Sequence, residues 1–209
     1  MSATATDWSS YATTLVRSDQ EAIRHIVRLN LGGEPFHLDP TYSKGVFWKG
    51  LPQPLLKYDK YPQSSDVLQA DARCLPLPDQ LVNSIMFDPP FVAKNTTTRT
   101  PNGKIEMRFG GYATVAELWQ FYHDALVEFL RLLRPGGVLV FKCQDMVSGG
   151  RQHWLHCEIW RMATDMGYTA KDLYIKYNPR VLWSPNMANQ QHARRTHSYF
   201  WVFVNGRTP

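Results

Sequence analysis

The stretch Leu81-Val82-Asn83-Ser84-Ile85-Met86-Phe87-Asp88-Pro89-Pro90-Phe91 decides how this chain is read. Residues 81–87 form a largely apolar run of strand length, which predicts a buried strand. The run ends on a carboxylate, two prolines and an aromatic. Each proline fixes its own φ, lacks an N–H donor and pushes the residue before it towards extended backbone. A stiff strand end of this kind can aim the Asp88 carboxylate and the Pro89 carbonyl at one spot beside the Phe91 ring. Two acceptors beside a flat apolar ring suit a planar heterocycle carrying an exocyclic amino group. A strand followed by an ordinary proline turn would carry the same letters, so the surroundings of the motif decide between the two.

Working outward, three shorter runs also stop at an acid. Phe36-His37-Leu38 stops at Asp39, Pro54-Leu55-Leu56-Lys57-Tyr58 at Asp59, and Val67-Leu68-Gln69-Ala70 at Asp71. After the motif, Thr114 to Leu133 has helical periodicity, with Leu118, Phe121, Tyr122, Ala125, Leu126 and Phe129 on one broad face. Arg134-Pro135-Gly136-Gly137 is expected to stop that helix. Val138-Leu139-Val140-Phe141 then reads as a fully apolar strand ending at Lys142. A further helix is expected from about Gln152 to Met166, and strands over Asp172 to Tyr177 and Ser198 to Val204 as a closing antiparallel pair. Before the first strand, Ser18-Asp19-Gln20-Glu21 is a capping box, opening a helix whose Ile23, Ile26, Val27 and Asn30 share a face and which stops at Gly32-Gly33. Strands alternating with helices predict an α/β fold built on a parallel, doubly wound sheet. In such sheets ligands bind beyond the carboxyl ends of the strands, where the four acids are expected to stand. The expected division is a helical segment over 1–33 packing on a single domain over 34–209, with no separate target-recognition domain.

The bulk properties narrow the setting. A chain of 209 residues is long enough for one full core. Its net charge of +5 mildly favours a polyanionic partner. No apolar stretch approaches the length of a membrane span, and no secretion signal is visible at Met1 to Asp7. Cys74, Cys143 and Cys157 are too few and too scattered for a disulfide framework, so a reducing, cytoplasmic setting is expected. His153, His156 and Cys157 lie close in sequence, but their spacing matches no metal motif, and no metal is expected.

The motif resembles that of S-adenosylmethionine-dependent amino-methyltransferases, which modify adenine N6, cytosine N4 or guanine N2. The order of elements is similar to the unpermuted order of class I methyltransferases, most clearly from Phe36 to Phe91. The resemblance implies a Rossmann-like, mostly parallel seven-stranded sheet with a C-terminal antiparallel strand, and S-adenosyl-L-methionine as cofactor. It makes Asp88, Pro89, Pro90 and Phe91 the catalytic residues. It assigns the loop Asp39-Pro40-Thr41-Tyr42-Ser43-Lys44-Gly45 to the cofactor, through Asp39, Thr41, Ser43 and Gly45. The family pattern there is Asp-Pro-Phe-x-Gly-x-Gly, so Thr41 stands for the aromatic and Ser43 for the first glycine. Asp59, 20 residues after Asp39, is placed to hold ribose hydroxyls. Asp71 and Ala72 are assigned to the adenine.

Substrate contacts are expected from two basic segments. Val92 to Tyr112 carries Lys94, Arg99, Lys104 and Arg108, and Asn178 to His197 carries Arg180, Arg194 and Arg195. Such residues suit a nucleic-acid backbone, though a solvated loop would show them too. Lys142 and Asp145 are noted as contacts at the edge of the site. The reading is an amino-methyltransferase of nucleic acid, with adenine N6 in DNA first. RNA methylation at adenine N6 or guanine N2, and cytosine N4 in DNA, stand as alternatives. So does a non-catalytic, cofactor-binding partner subunit. With no separate recognition domain expected, the chain would be weakly specific, read sequence with its two loops, or depend on a partner subunit for target recognition.

Overall fold

The computed structural model describes residues 11–91, 112–178 and 191–206. In chain order the strands are β1 (Leu15–Val16), β2 (Leu38–Asp39), β3 (Leu56–Asp59), β4 (Leu68–Gln69), β5 (Val82–Phe87), β6 (Leu133–Cys143), β7 (Met146–Ser148), β8 (Arg151–His153), β9 (Tyr168–Tyr177) and β10 (His197–Asn205). The helices are α1 (Asp19–Asn30), α2 (Val115–Leu132) and α3 (Leu155–Asp165). Eight strands form one sheet in the order β1-β9-β10-β6-β5-β2-β3-β4, while β7 and β8 form a separate hairpin. β10 runs antiparallel to both of its neighbours, and every other pair in the large sheet is parallel. The fold is therefore Rossmann-like α/β, mostly parallel, with a late antiparallel strand.

Among the described residues the sheet has eight strands where seven were expected. The addition is β1, which pairs with β9 at the sheet edge and comes from the segment read as helical. Two further differences lie around β6 and α3. Arg134-Pro135-Gly136-Gly137 does end a helix, but strand pairing has already begun at Leu133. The four residues bulge out of β6 between the pairs Leu133–Val82 and Val138–Ser84. Gly136 takes φ 75° there, which supplies the turn of the bulge. Downstream, α3 starts at Leu155 and not near Gln152, because residues 151–153 pair with residues 146–148.

Alternation along the central strands sets the two layers. On one face Ile85, Phe87, Leu139 and Phe141 pack against Leu118, Tyr122, Leu126 and Phe129 of α2 and Leu155 and Ile159 of α3. On the other, Met86, Val138, Val140, Phe200 and Val202 pack against Ala22, Ile23 and Ile26 of α1 and against Trp48. Helix α1 opens with its cap as expected: the Glu21 N–H donates to Ser18 Oγ at 3.0 Å. The Glu21 carboxylate reaches the Arg17 N–H at 2.7 Å, one residue earlier than a standard capping box.

The crossovers after β2, β3 and β4 are loops, not the helices that strict alternation predicts. A short 3₁₀ turn at Val46–Trp48 is the only helical piece among the described residues between β2 and β5. Pro40, Gly45, Gly50, Pro52, Pro54, Pro62, Pro76 and Pro78 break that region too often for a helix to propagate. Among the described residues, no helix is long and apolar enough to cross a membrane.

Candidate functional site

The carboxyl ends of β2, β3 and β5, together with the loop after β4, converge on one cleft. It encloses about 500 Å³, open to solvent, and is lined by Thr41, Ser43, Asp59, Asp71, Ala72 and Asp88, with Lys60, Tyr61, Tyr112 and Phe121 closing its sides. Three of the four predicted acids thus face a common space. The fourth, Asp39, lies beneath it.

Asp39 is 3% exposed and fully engaged by the chain itself. Its Oδ1 accepts from the Thr41 N–H at 2.8 Å and the Thr41 hydroxyl at 3.1 Å. Its Oδ2 accepts from Trp48 Nε1 at 2.7 Å. The Thr41 hydroxyl in turn accepts from the Asp88 N–H at 3.0 Å. Asp39 therefore shapes the loop that carries the motif, and the indole of Trp48 ties that loop to the core. Burial lifts its carboxyl from 3.8 to about 7 despite the three donors.

Asp59 is 8% exposed and bridges two loops. Oδ2 accepts from the Ser43 N–H at 2.8 Å and Oδ1 from the Tyr61 N–H at 2.7 Å. Each oxygen retains acceptor capacity towards the cleft, since a carboxylate offers about four lone-pair sites. Asp71 differs from expectation in two ways. It lies beyond the end of β4, in an isolated bridge to Cys74. Its carboxylate is also gripped by Arg73, through Nε at 2.9 Å and Nη2 at 2.8 Å, with Lys60 at 3.4 Å. The Arg73 bonds hold its carboxyl well below the usual range. An amino group reaching Asp71 would have to share it with the guanidinium.

Ser43 stands where the resemblance expects glycine, and it adopts φ 53°, in the left-handed region that glycine favours. That conformation aims its N–H at Asp59 and keeps the loop path in spite of the side chain. Gly45 has φ 65°, and a Cβ there would collide with the Tyr42 ring. It supports the turn from below and does not line the cleft. Ser43→Gly should raise stability by about 0.5–1 kcal/mol, the left-handed strain released exceeding the added chain entropy. A urea midpoint that fails to rise would show that the serine is not strained.

At the end of β5, the Asp88 side chain is 29% exposed and meets Lys142 Nζ at 3.1 Å. Burial raises its carboxyl, and Lys142 opposes the rise. The Tyr122 hydroxyl of α2 donates to the Pro90 carbonyl at 2.7 Å and locks the diproline turn to the core. Among the described residues no hydrogen bond falls on the Pro89 carbonyl. Phe91 is partly buried and packs against the α2 side of the core. The second proline is thus held by the fold, and Asp88 stands at the cleft.

Of the expected substrate residues, Lys94, Arg99, Lys104, Arg108 and Arg180 lie outside the described residues. Arg194 is exposed, and Arg195 donates from Nη1 to Gln152 Oε1 at 3.3 Å, beside the β7–β8 hairpin. Sequence reading missed Lys60 and Tyr61, which follow Asp59 directly, and Tyr112, whose ring packs on Phe121 with centroids 5.0 Å apart. It also missed Arg73. Its spacing of two from Asp71 was the available signal, because an aspartate that opens a turn accepts from the N–H two residues on, which brings that residue's side chain beside it.

No family model and no curated protein matches the sequence. Solved structures do. The N-methyltransferase NodS from Bradyrhizobium japonicum WM9, in complex with S-adenosyl-L-homocysteine, is 14% identical over 90% of this chain and 87% of its own, with a TM-score of 0.52. TrmN from Thermus thermophilus is 17% identical over 88% of this chain and 48% of its own, with a TM-score of 0.50. TTHA0409, also from Thermus thermophilus and complexed with S-adenosyl-L-methionine, is 19% identical over 67% of this chain and 54% of its own, with a TM-score of 0.45. The chain spans about half the length of these two Thermus proteins. Together with the strand order, the likeness to NodS and TrmN establishes a Rossmann-like fold shared with these two proteins.

Proposed function

We propose that the protein is an S-adenosyl-L-methionine-dependent methyltransferase that modifies an exocyclic amino nitrogen of a base in nucleic acid, with adenine N6 in DNA as first choice. One observation carries the reading: Asp88 of the diproline motif opens into the same cleft as Asp59, Ser43 and Ala72. Acceptor chemistry and a cofactor cradle thus share one space.

The residues fit the cofactor in kind. Asp59 keeps lone pairs for ribose hydroxyls, Ala72 offers a small wall beside Asp71, and the backbone from Pro40 to Ser43 lines the near side. Bound there, S-adenosylmethionine supplies an electrophilic methyl group. The protein's own part is to present the acceptor. An aromatic amino nitrogen is a poor nucleophile because its lone pair is delocalised into the ring. Asp88 and the Pro89 carbonyl accept its two N–H bonds, which favours a pyramidal nitrogen with its lone pair directed outward. The nitrogen would gain one N–C bond as the sulfonium S–CH3 bond breaks and the neutral thioether S-adenosylhomocysteine leaves, and would then release one proton to solvent. Rate enhancement comes from orientation and from acceptors fixed before the substrate arrives. Phe91 supports the base by stacking, and a duplex target must be flipped to reach the cleft.

The preference for adenine rests on the motif beginning with Asp and not Ser. A second reading, a non-catalytic cofactor-binding partner subunit, draws on Ser43 standing where the resemblance expects a glycine. Transfer of tritiated methyl from the cofactor to DNA, tRNA and rRNA separates these readings. The expected result is label in DNA, recovered as N6-methyladenine. Label only in RNA moves the assignment to the RNA alternatives. Cofactor binding without transfer to any polymer supports the partner-subunit reading.

A further inference from the structure

Lys142 was read from the sequence as a contact at the site edge, and its surroundings give it a different task. It follows Phe141 on β6, the strand beside β5, so its ammonium arrives next to Asp88. Nζ lies 3.1 Å from Asp88 Oδ2 and 3.4 Å from Asp19 Oδ1. The Phe47 and Phe200 rings flank it at 4.9 and 5.7 Å. Its side chain is only 12% exposed, which keeps a phosphate from reaching it. Asp19 is fixed in turn. It is the first residue of α1, behind the Ser18 cap, and its Oδ2 accepts from Lys176 Nζ at 2.8 Å. Asp19 Oδ1 is buried with no hydrogen-bond partner among the described residues, so the nearby Lys142 charge is what compensates it.

Resting on the methyl-transfer reading above, we propose that Lys142 is a positioning residue. It clamps Oδ2 of Asp88 and is itself held by Asp19, so that Oδ1 alone is presented to the acceptor amine and the first turn of α1 becomes part of the site. The clamp also keeps Asp88 an acceptor. A buried carboxyl tends to hold its proton, and a protonated Asp88 would offer a donor where the amine needs an acceptor. Of the other groups around Asp88, Lys176 favours ionisation more weakly, from behind Asp19; Asp39 and Asp19 are acidic and work against it, and burial keeps Tyr122 and Cys143 uncharged. The two carboxylates hold Lys142 above its ordinary value although burial opposes them, so it stays charged and is no proton acceptor for the reaction.

The test pairs a titration with a pH–rate profile. In protein carrying ¹³C-carboxyl aspartate, the Asp88 signal, assigned by its loss in Asp88→Asn, is followed against pH in wild type, Lys142→Met, Lys142→Arg and Asp19→Asn. The expected result is an Asp88 midpoint about 1–3 pH units higher in Lys142→Met than in wild type. The acid limb of kcat/KM should move with it, and turnover near pH 7 should fall about tenfold or more. Lys142→Arg, which keeps the charge, should restore the midpoint. Asp19→Asn, a milder change should Lys142→Met fold poorly, removes a neighbouring negative charge and leaves Lys142 to Asp88 alone, so it should move the midpoint the opposite way, downward. An Asp88 midpoint that is the same in all folded variants overturns the inference, as does a pH–rate profile lowered without displacement. A displaced midpoint in a protein that transfers no methyl group supports the clamp and refutes the methyl-transfer reading instead.

Discussion

Asp88→Ala should abolish methyl transfer, lowering kcat by about a thousandfold or more, while cofactor affinity stays within about threefold of wild type. The separation follows from the assigned roles. On the proposed reading Asp88 serves the acceptor, whereas Asp59, Ser43 and Ala72, which line the same cleft, serve the cofactor. Removing the carboxylate deletes an acceptor that must be in place when the nitrogen pyramidalises. The fold should tolerate the change, because Lys142 retains Asp19 as a partner and the partly buried carboxyl that is lost sits where desolvation already disfavours its charge. Tritium transfer measures the first quantity and isothermal calorimetry with S-adenosylmethionine the second. Wild-type turnover in Asp88→Ala would refute the assigned chemistry.

The second large effect is expected at Asp39, which the resemblance assigns to the cofactor and the structure places beneath the loop. Asp39→Ala strips the acceptor from the Trp48 indole, the Thr41 N–H and the Thr41 hydroxyl at once. Stranded buried donors cost about 1–3 kcal/mol each, so a net loss of about 2–4 kcal/mol is expected once the relief of burying a carboxylate is counted. Freed from Asp39, the Thr41 hydroxyl also holds the Asp88 N–H less firmly, and turnover should fall about a hundredfold through misplacement of the motif. The stability effect has a definite pH sign. The folded carboxyl is raised from 3.8 to about 7, so the folded state keeps a proton that the unfolded chain releases between about pH 4 and pH 7. This contribution is complete below the ordinary value and is withdrawn as pH rises through about 7. The deficit of Asp39→Ala against wild type should therefore be larger at pH 5 than at pH 8 in urea unfolding. A deficit that grows with pH would mean that the three donors outweigh burial and that Asp39 is ionised throughout.

The legible and illegible parts of this chain divide along the distance over which residues act. The run over 82–87 announces β5 because a strand covered on both faces needs apolar residues at nearly every position. The diproline behind it is local chemistry and was readable for the same reason. Asp59 could be placed because it ends its strand. The duties of the acids could not be read, because each partner comes from elsewhere in the fold. Trp48 reaches Asp39 through a tertiary turn, and Lys142 meets both Asp88 and Asp19, 123 positions earlier in the chain, only once the sheet is assembled. One miss was local. Gly149-Gly150, with φ 58° and 73°, is a two-residue hairpin turn between β7 and β8, and its letters are a known signal for such a turn. Helical periodicity after residue 152 hid it.

The position of β10 bears on how the protein is made. It comes after every other strand of the large sheet in the chain, yet it lies between β6 and β9 and pairs with both. During synthesis on the ribosome, β6 and β9 must each wait with an unpaired edge until residues 197–205 emerge. Open apolar edges of that kind invite pairing with other nascent chains. A chain that stops before β10 would leave the sheet split in two, with Phe141 on one half and Tyr174 on the other and no Phe200 or Val202 between them. Truncation within β10 should therefore yield insoluble protein and not a merely destabilised one, and holdase chaperones should matter most until β10 has emerged.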